Sequence, residues 1–229
     1  ALIIEPVVGN MGCVLPQPGY LQGLRDLCTK HGIVLIFDEV MTGFRLAPGG
    51  AQERFGVTPD MTTLGKIIGG GMPVGAYGGK KEIMDCVSPQ GPVYQAGTLS
   101  GNPIAMAAGI AMLTYLKENK HIYKELDNIG HQLVSGIRQV LIEKNIPYTI
   151  NHIGSMYSLF FTEEPVTDFA SAKTSDTALF GKYFHEMLQR GIYLAPSQYE
   201  SLFLSTALTP KLIKKVIAAH AESIAAIHA

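Results

Sequence analysis

Ile33-Val34-Leu35-Ile36-Phe37-Asp38-Glu39-Val40 is the stretch whose reading decides the fold. Five apolar residues follow one another without alternation, which describes a strand covered on both faces, as strands of parallel sheets are. An acidic pair stands at its carboxyl end. Upstream, Leu2 to Val8 is a second β-branched run that ends at Gly9-Asn10. Between the two runs Leu21, Leu24, Leu27 and Cys28 recur at helical spacing, and His31-Gly32 supplies a C-terminal stop. Strand, helix and strand within about 40 residues form a βαβ unit, so the expected class is α/β with a mainly parallel sheet and flanking helices.

Working outward, Pro59 to Gly79 is glycine-rich and nearly uncharged, with a short strand expected over Val74 to Tyr77. A helix is expected from Asn102 to Lys117, its Ala105, Ala107, Ala108, Gly109 and Ala111 small enough for close packing. Beyond about residue 116 charge and amphipathic periodicity return. Leu126, Ile129, Leu133, Ile137 and Leu141 mark one face of a helix over 122–144. Strands are expected at 147–151, 156–161, 192–195 and 202–205, and helices at 175–190 and 210–227. The chain thus divides into an α/β domain over 1–115 and a smaller α+β domain over 116–229.

Composition removes several function classes. Among 229 residues, 18 Lys and Arg face 19 Asp and Glu for a net charge of −1, and only 16% are charged. With 47% hydrophobic residues the chain is not disordered. No basic block offers a footprint for nucleic acid or an anionic membrane. Three cysteines with no C-x-x-C suit a reducing compartment better than a disulfide framework. The apolar stretch Asn102 to Leu116 is short for a bilayer span. The seven histidines show no paired metal-ligand spacing, so no metal is expected. Ala1 is not an initiator Met and the chain opens in what reads as the middle of a buried strand, so an N-terminal portion of the same protein is expected upstream.

Three features carry chemistry. Asp38-Glu39 lies where ligands bind in open α/β sheets, outside the carboxyl ends of strands, although a helix cap or solvated turn explains such a pair equally well. Lys66 is the sole cation between Arg54 and Lys80, set in Leu64-Gly65-Lys66-Ile67-Ile68-Gly69-Gly70-Gly71. Desolvation there lowers a lysine's pKa and makes its amine a Schiff-base former; an exposed loop lysine is the ordinary alternative. A phosphate loop ending at Lys66 fails, because Asp60 stands where glycine is needed and Ile67 where Ser or Thr is needed. Third, Tyr94-Gln95-Ala96-Gly97-Thr98-Leu99-Ser100-Gly101-Asn102-Pro103 leads into a helix, and its hydroxyls and N–H groups could take a phosphate or simply cap that helix. An amine, a strand-end carboxylate and a phosphate site are together the parts that hold pyridoxal phosphate.

These residues are similar to the class III pyridoxal-phosphate aminotransferases of fold type I. The likeness rests on Asp38-Glu39-Val40, Pro59-Asp60, Leu64-Gly65-Lys66, Gly97-Thr98 and Asn102-Pro103. Ile4 to Asn102 resembles most closely the aminomutase branch, through Glu5-Pro6-Val7-Val8-Gly9-Asn10-Met11-Gly12, Asp38 to Arg45, Thr63 to Ala76 and Gly97 to Pro103; Met41 stands where many class III aminotransferases have glutamine. The resemblance implies the C-terminal portion of a fold type I transferase, carrying pyridoxal or pyridoxamine phosphate. By it Lys66 is the Schiff-base lysine and proton shuttle, Asp38 binds the pyridine nitrogen, Val40 packs on the ring and Asn10 lies near the phenolic oxygen. Gly97 and Thr98 would reach the phosphate of a neighbouring subunit's cofactor, so that a homodimer completes the site. Tyr94 and Glu200 are substrate-binding candidates. The implied reaction converts glutamate-1-semialdehyde to 5-aminolevulinate, within tetrapyrrole biosynthesis, in a cytoplasm or plastid stroma. An ω- or ornithine-type aminotransferase, or a non-catalytic fragment of the same scaffold, is the alternative.

Overall fold

The computed structural model describes residues 1–228, which fall into two compact units: Ala1–Pro6 with Gln17–Lys120, and Val7–Pro16 with His121 onward. The units meet the chain at Lys120 and His121, a few residues beyond the expected 115/116 boundary. They are of comparable length in this chain, and Val7–Pro16 groups with the C-terminal one. The expected strand over Leu2 to Val8 is accordingly shorter. β1 spans Leu2–Ile4 and the chain leaves the sheet at Glu5-Pro6, since proline cannot donate to a ladder.

In the first unit α1 (Tyr20–His31) follows β1 and stops at Gly32, whose left-handed backbone (φ 63°) ends the helix. Leu21 and Cys28 of α1 pack on Leu35 and Phe37 of β2 (Leu35–Asp38). Leu27, expected on the same face, is exposed. Within this chain β2 alternates: Leu35 and Phe37 are buried, while Ile36 and Asp38 on the other face are half-buried. α2 (Gly50–Phe55) and β3 (Met61–Leu64) come next, then a 3-10 turn over Lys66–Gly69 and β4 (Ala76–Gly79), two residues later than expected. The sheet order is β1-β2-β3-β4, with the first three strands parallel and β4 antiparallel to β3. A short α3 (Lys81–Met84) and then α4 (Pro103–Glu118) complete the unit.

The 3-10 turn packs against α4, and glycines make the approach possible. A Cβ at Gly109 would lie 2.4 Å from the Ile68 carbonyl oxygen, and one at Gly70 would lie 2.5 Å from that of Ala108. These two glycines serve backbone packing within the unit. Asp60, just before β3, is a buried anchor: it accepts from Arg25 Nη1 (2.9 Å) and the Leu35 N–H (2.7 Å) and pairs with Lys80 Nζ (2.7 Å). Burial opposes its ionisation, but Lys80, the Leu35 N–H and Arg25 outweigh that and hold its pKa at about 2.

The second unit is built on α5 (His121–Glu143), whose Ile129, Leu133, Ile137 and Leu141 are all buried as the periodicity predicts. β5 (Thr149–Ile153), β6 (Met156–Phe160) and the two-residue β7 (Leu202–Phe203) form an antiparallel sheet in the order β5-β6-β7. α6 (Phe169–Ala172), α7 (Thr177–Gln189) and α8 (Pro210–Ile227) complete it. Tyr157 and Leu159 of β6 face the core made with α5, α7 and α8. The opposite face of β6 is covered by Val7–Pro16: Phe160 clusters with Val14, and the Cys13 N–H donates to Ser158 Oγ (2.8 Å). No strand forms at 192–195. The Ile192 N–H returns to the Met187 carbonyl to close α7, which leaves that segment outside the ladder.

Candidate functional site

The site begins where parallel strands β2 and β3 end. Their register pairs Asp38 with Thr63, so the carboxyl end of β2 lies beside the residues that lead into Lys66. Asp38 Oδ1 accepts from Thr63 Oγ1 (3.1 Å) and from the Val40 N–H (3.0 Å). Oδ2 has no hydrogen-bond partner among the described residues. Val40 then turns its side chain onto the next loop: a Cβ at Gly65 would lie 3.2 Å from Val40 Cγ1. Asp38, Val40, Gly65 and Lys66 are thus contiguous: the Val40 N–H bonds Asp38, the Val40 side chain lies over Gly65, and Lys66 follows in the chain.

Lys66 opens the 3-10 turn with a positive φ of 50°, a conformation uncommon outside glycine. Its side chain is exposed, and Nζ has no ion pair or hydrogen bond among the described residues. The dry surround expected from its apolar neighbours is therefore not built around Lys66 among the described residues, although Ile68 beside it is buried.

The two readings of the acidic pair fall on different residues. Glu39 is 1% exposed, and its carboxylate is fully occupied. Oε2 accepts from Thr42 Oγ1 (2.9 Å) and the Ala51 N–H (2.6 Å), and Oε1 from the Gln52 N–H (3.2 Å) and Gln52 Nε2 (3.0 Å). It caps α2. Gly50 is required beside it, with φ 67° and a Cβ position only 2.1 Å from Glu39 Oε2. Gln52 Nε2 also donates to Thr62 Oγ1 (2.8 Å), fastening α2 to β3. Asp38 is left as the carboxylate presented outward.

The loop before α4 divides in the same way. Asn102 Oδ1 accepts from the N–H groups of Ile104 and Ala105, both at 3.1 Å, so the helix is capped from within. Ahead of it the N–H groups of Gly97, Thr98 and Leu99 and the Thr98 hydroxyl have no partner among the described residues. Tyr94 is 82% exposed.

Asn10 and Glu200 belong to the other unit, where they share one edge. Gly9 O accepts from the Ser201 N–H (3.2 Å) and the Gly12 N–H donates to Tyr199 O (2.8 Å), which brings Asn10 and Glu200, 190 positions apart, side by side. Both are exposed. Cys13 nearby is buried, and burial pushes its thiol up to about 12, so it packs as a small apolar residue.

Sequence reasoning passed over Thr63 and Glu39's full set of partners. The available signal for Thr63 was a hydroxyl in the strand three residues before Lys66, a position where valine would pack equally well. Among the described residues no group of three or more His, Cys, Asp or Glu side chains gathers as a metal site, and no helix is long and apolar enough to cross a membrane.

The family model for class III aminotransferases matches residues 1–227. The chain belongs to the class III aminotransferase family. Its four-stranded sheet is mixed, and the solved structures it superimposes on include transaminases and an aminomutase. An omega-transaminase from Sphaerobacter thermophilus aligns over 100% of this chain and 52% of its own, with a TM-score of 0.93 and 34% identity. A glutamate-1-semialdehyde aminomutase from Pseudomonas aeruginosa, solved in complex with PMP, aligns over 99% and 52%, with a TM-score of 0.88 and 26% identity. In sequence, a glutamate-1-semialdehyde 2,1-aminomutase of Cytophaga hutchinsonii is 60% identical over 100% of this chain and 53% of its own length. This class III aminotransferase chain thus spans about half the length of the curated relatives it matches.

The donor set fits the family's cofactor. A free primary amine on a bare-backboned turn, a half-buried carboxylate with one unpartnered oxygen and a valine side chain over Gly65 suit a covalently attached, cationic heteroaromatic ring.

Proposed function

We propose that the whole protein converts glutamate-1-semialdehyde to 5-aminolevulinate by moving an amino group between adjacent carbons of one molecule. The observation that carries this reading is the 60% identity, across the full chain, to a relative named for that activity, together with the Asp38–Val40–Lys66 arrangement. Fold likeness does not choose between family members, since the omega-transaminase superimposes at least as well as the aminomutase.

Pyridoxal phosphate, when bound, supplies an electron sink for the carbon bearing the substrate nitrogen. In this reading Lys66 Nζ would hold the group covalently until a substrate amine displaced it, and the freed amine would then move protons between the group and the two adjacent substrate carbons. Its lack of a partner in this chain leaves the amine free to swing between the two. Asp38 Oδ2 faces the ring nitrogen and holds its proton. Val40 limits ring tilt by packing on one face. The unpartnered N–H groups at Gly97 to Leu99 and the Thr98 hydroxyl form an anion-binding stretch, which in a homodimer serves the neighbouring subunit's phosphate. This reading assigns Asn10 to the ring hydroxyl, and Glu200 and Tyr94 to substrate. The same reading makes the protein a cytoplasmic homodimer that feeds tetrapyrrole synthesis.

The test supplies full-length protein with glutamate-1-semialdehyde and neither amino donor nor keto acid. Catalytic formation of 5-aminolevulinate is expected. A strict need for a co-substrate would replace the reading with an intermolecular aminotransferase of the omega type.

A further inference from the structure

Thr63 stands in β3 where the strand needs only a β-branched side chain, and valine would satisfy that need as well. Its hydroxyl is half-buried, and such a group is retained at a cost unless it is bonded. The bond it makes is to Asp38 Oδ1, at 3.1 Å, across the parallel β2–β3 register. Neighbouring Thr62 points to the opposite face, as alternation requires. Its hydroxyl is engaged by Gln52 Nε2, so it cannot substitute.

The pattern on Asp38 is asymmetric. Both donors, Thr63 Oγ1 from β3 and the Val40 N–H from the loop after β2, converge on Oδ1. A carboxylate's terminal torsion is otherwise broad and roughly two-fold. Two donors from different segments on one oxygen fix it and leave Oδ2 as the oxygen presented to a ligand. The Val40 N–H is backbone and available to any side chain at position 40. Among the described residues Thr63 is therefore the one side chain that hydrogen-bonds Asp38, and it fixes the plane of the carboxylate so that the oxygen left unbonded faces out.

We infer that Thr63 is a positioning residue for Asp38, orienting Oδ2 toward the ring nitrogen of the bound cofactor. The inference rests on the reading of the site given under Proposed function. It assigns Thr63 no contact with substrate or cofactor: its effect passes through the Asp38 carboxylate.

The experiment compares full-length wild type, Thr63→Val and Thr63→Ser. Cofactor-free protein is titrated with pyridoxal phosphate, kcat and KM are measured on the holoenzyme, and melting of the cofactor-free form is followed. Losing one hydrogen bond to a charged group predicts cofactor affinity weakened on the order of 10-fold in Thr63→Val. The same variant should lower kcat with KM changed less than about twofold, the split expected for a group that does not bind substrate. Thr63→Ser, which keeps the hydroxyl, should recover both. Thr63→Ala repeats the comparison if the valine variant does not fold.

Wild-type affinity and kcat in Thr63→Val would overturn the inference. So would a serine variant as impaired as valine, or an affinity loss matched by an equal fall in the melting temperature of the cofactor-free protein. Borohydride reduction of the wild-type holoenzyme separates the two levels. Cofactor absent from the Lys66 peptide overturns the cofactor reading and this inference with it; cofactor present on Lys66, with Thr63→Val unaffected, overturns this inference alone.

Discussion

At the scale of single residues, Asp38 and Glu39 show how adjacent side chains of like charge acquire unlike duties. Successive residues at a strand end point to opposite faces. Glu39 goes to the face where α2 begins and is consumed by four donors. Asp38 goes to the other and keeps one oxygen open. Glu39→Gln replaces an acceptor by a donor among those groups and leaves buried N–H groups without a partner. We expect it to cost about 3 kcal/mol of stability, read from urea unfolding of the full-length protein. Lys66→Ala removes the amine from an exposed position, so its unfolding midpoint should match wild type. Turnover should fall by about 10³-fold or more; near-normal turnover would remove Lys66 from the chemistry. The acid pair and the lysine were legible in sequence as a constellation, but their division of labour was not, because it depends on which face each side chain takes.

At the scale of elements, periodicity served best where a helix packs within its own unit. The α5 face was readable at Ile129, Leu133, Ile137 and Leu141, which recur with the helical period and meet a core made by the same segment of chain, while Leu126 of the expected face is only half-buried. α4 was readable as a helix whose small residues, Gly109 among them, allow close packing, but its partner was not: it meets the 3-10 turn rather than a sheet. Its contact with the 3-10 turn runs through backbone at Gly70 and Gly109 rather than through a hydrophobic stripe. Gly109→Ala should therefore cost about 2 kcal/mol despite alanine's higher helix propensity, since its Cβ would meet the Ile68 carbonyl. An equal or higher melting temperature would show that α4 can shift without penalty. The expected strand at 192–195 failed for an equally local reason: the Ile192 N–H is spent on closing α7.

At the scale of the whole molecule, pH sensitivity follows from buried groups in each unit. His220 on α8 is fully buried. Its Nδ1 shares a hydrogen bond with the Tyr183 hydroxyl (2.9 Å), and neither its Nε2 nor the neighbouring Ser223 Oγ closes a hydrogen bond. Burial, only partly offset by the Ile137 carbonyl, pushes His220 down to about 4 from the ordinary 6.5. The unfolded chain then binds a proton that the folded chain refuses, so stability is complete above about pH 6.5 and falls as pH drops toward 4. The loss amounts to about 3 kcal/mol. Urea midpoints at pH 7.5 and pH 5 should reveal it, and His220→Leu should flatten the difference. Asp60, held at about 2, adds a loss confined to pH below about 4, where protonation breaks its bonds to Lys80 and Arg25.

The sequence by itself determined the α/β class and the positions of the long helices, and it marked the residues proposed here to carry chemistry. Those depend on local propensity and on runs whose period is visible over a few turns. Family membership was legible for the same reason, in short motifs around Asp38 and Lys66. Only the tertiary structure decided that Val7–Pro16 crosses to cover β6 in the C-terminal unit, that Asn10 comes to lie beside Glu200, and that Glu39 is structural while Asp38 is presented. It alone decided that a threonine hydroxyl selects the free oxygen of Asp38. These are contacts between residues far apart in the chain, set by register and face. A period along one segment carries no information about the side chain that register places opposite it.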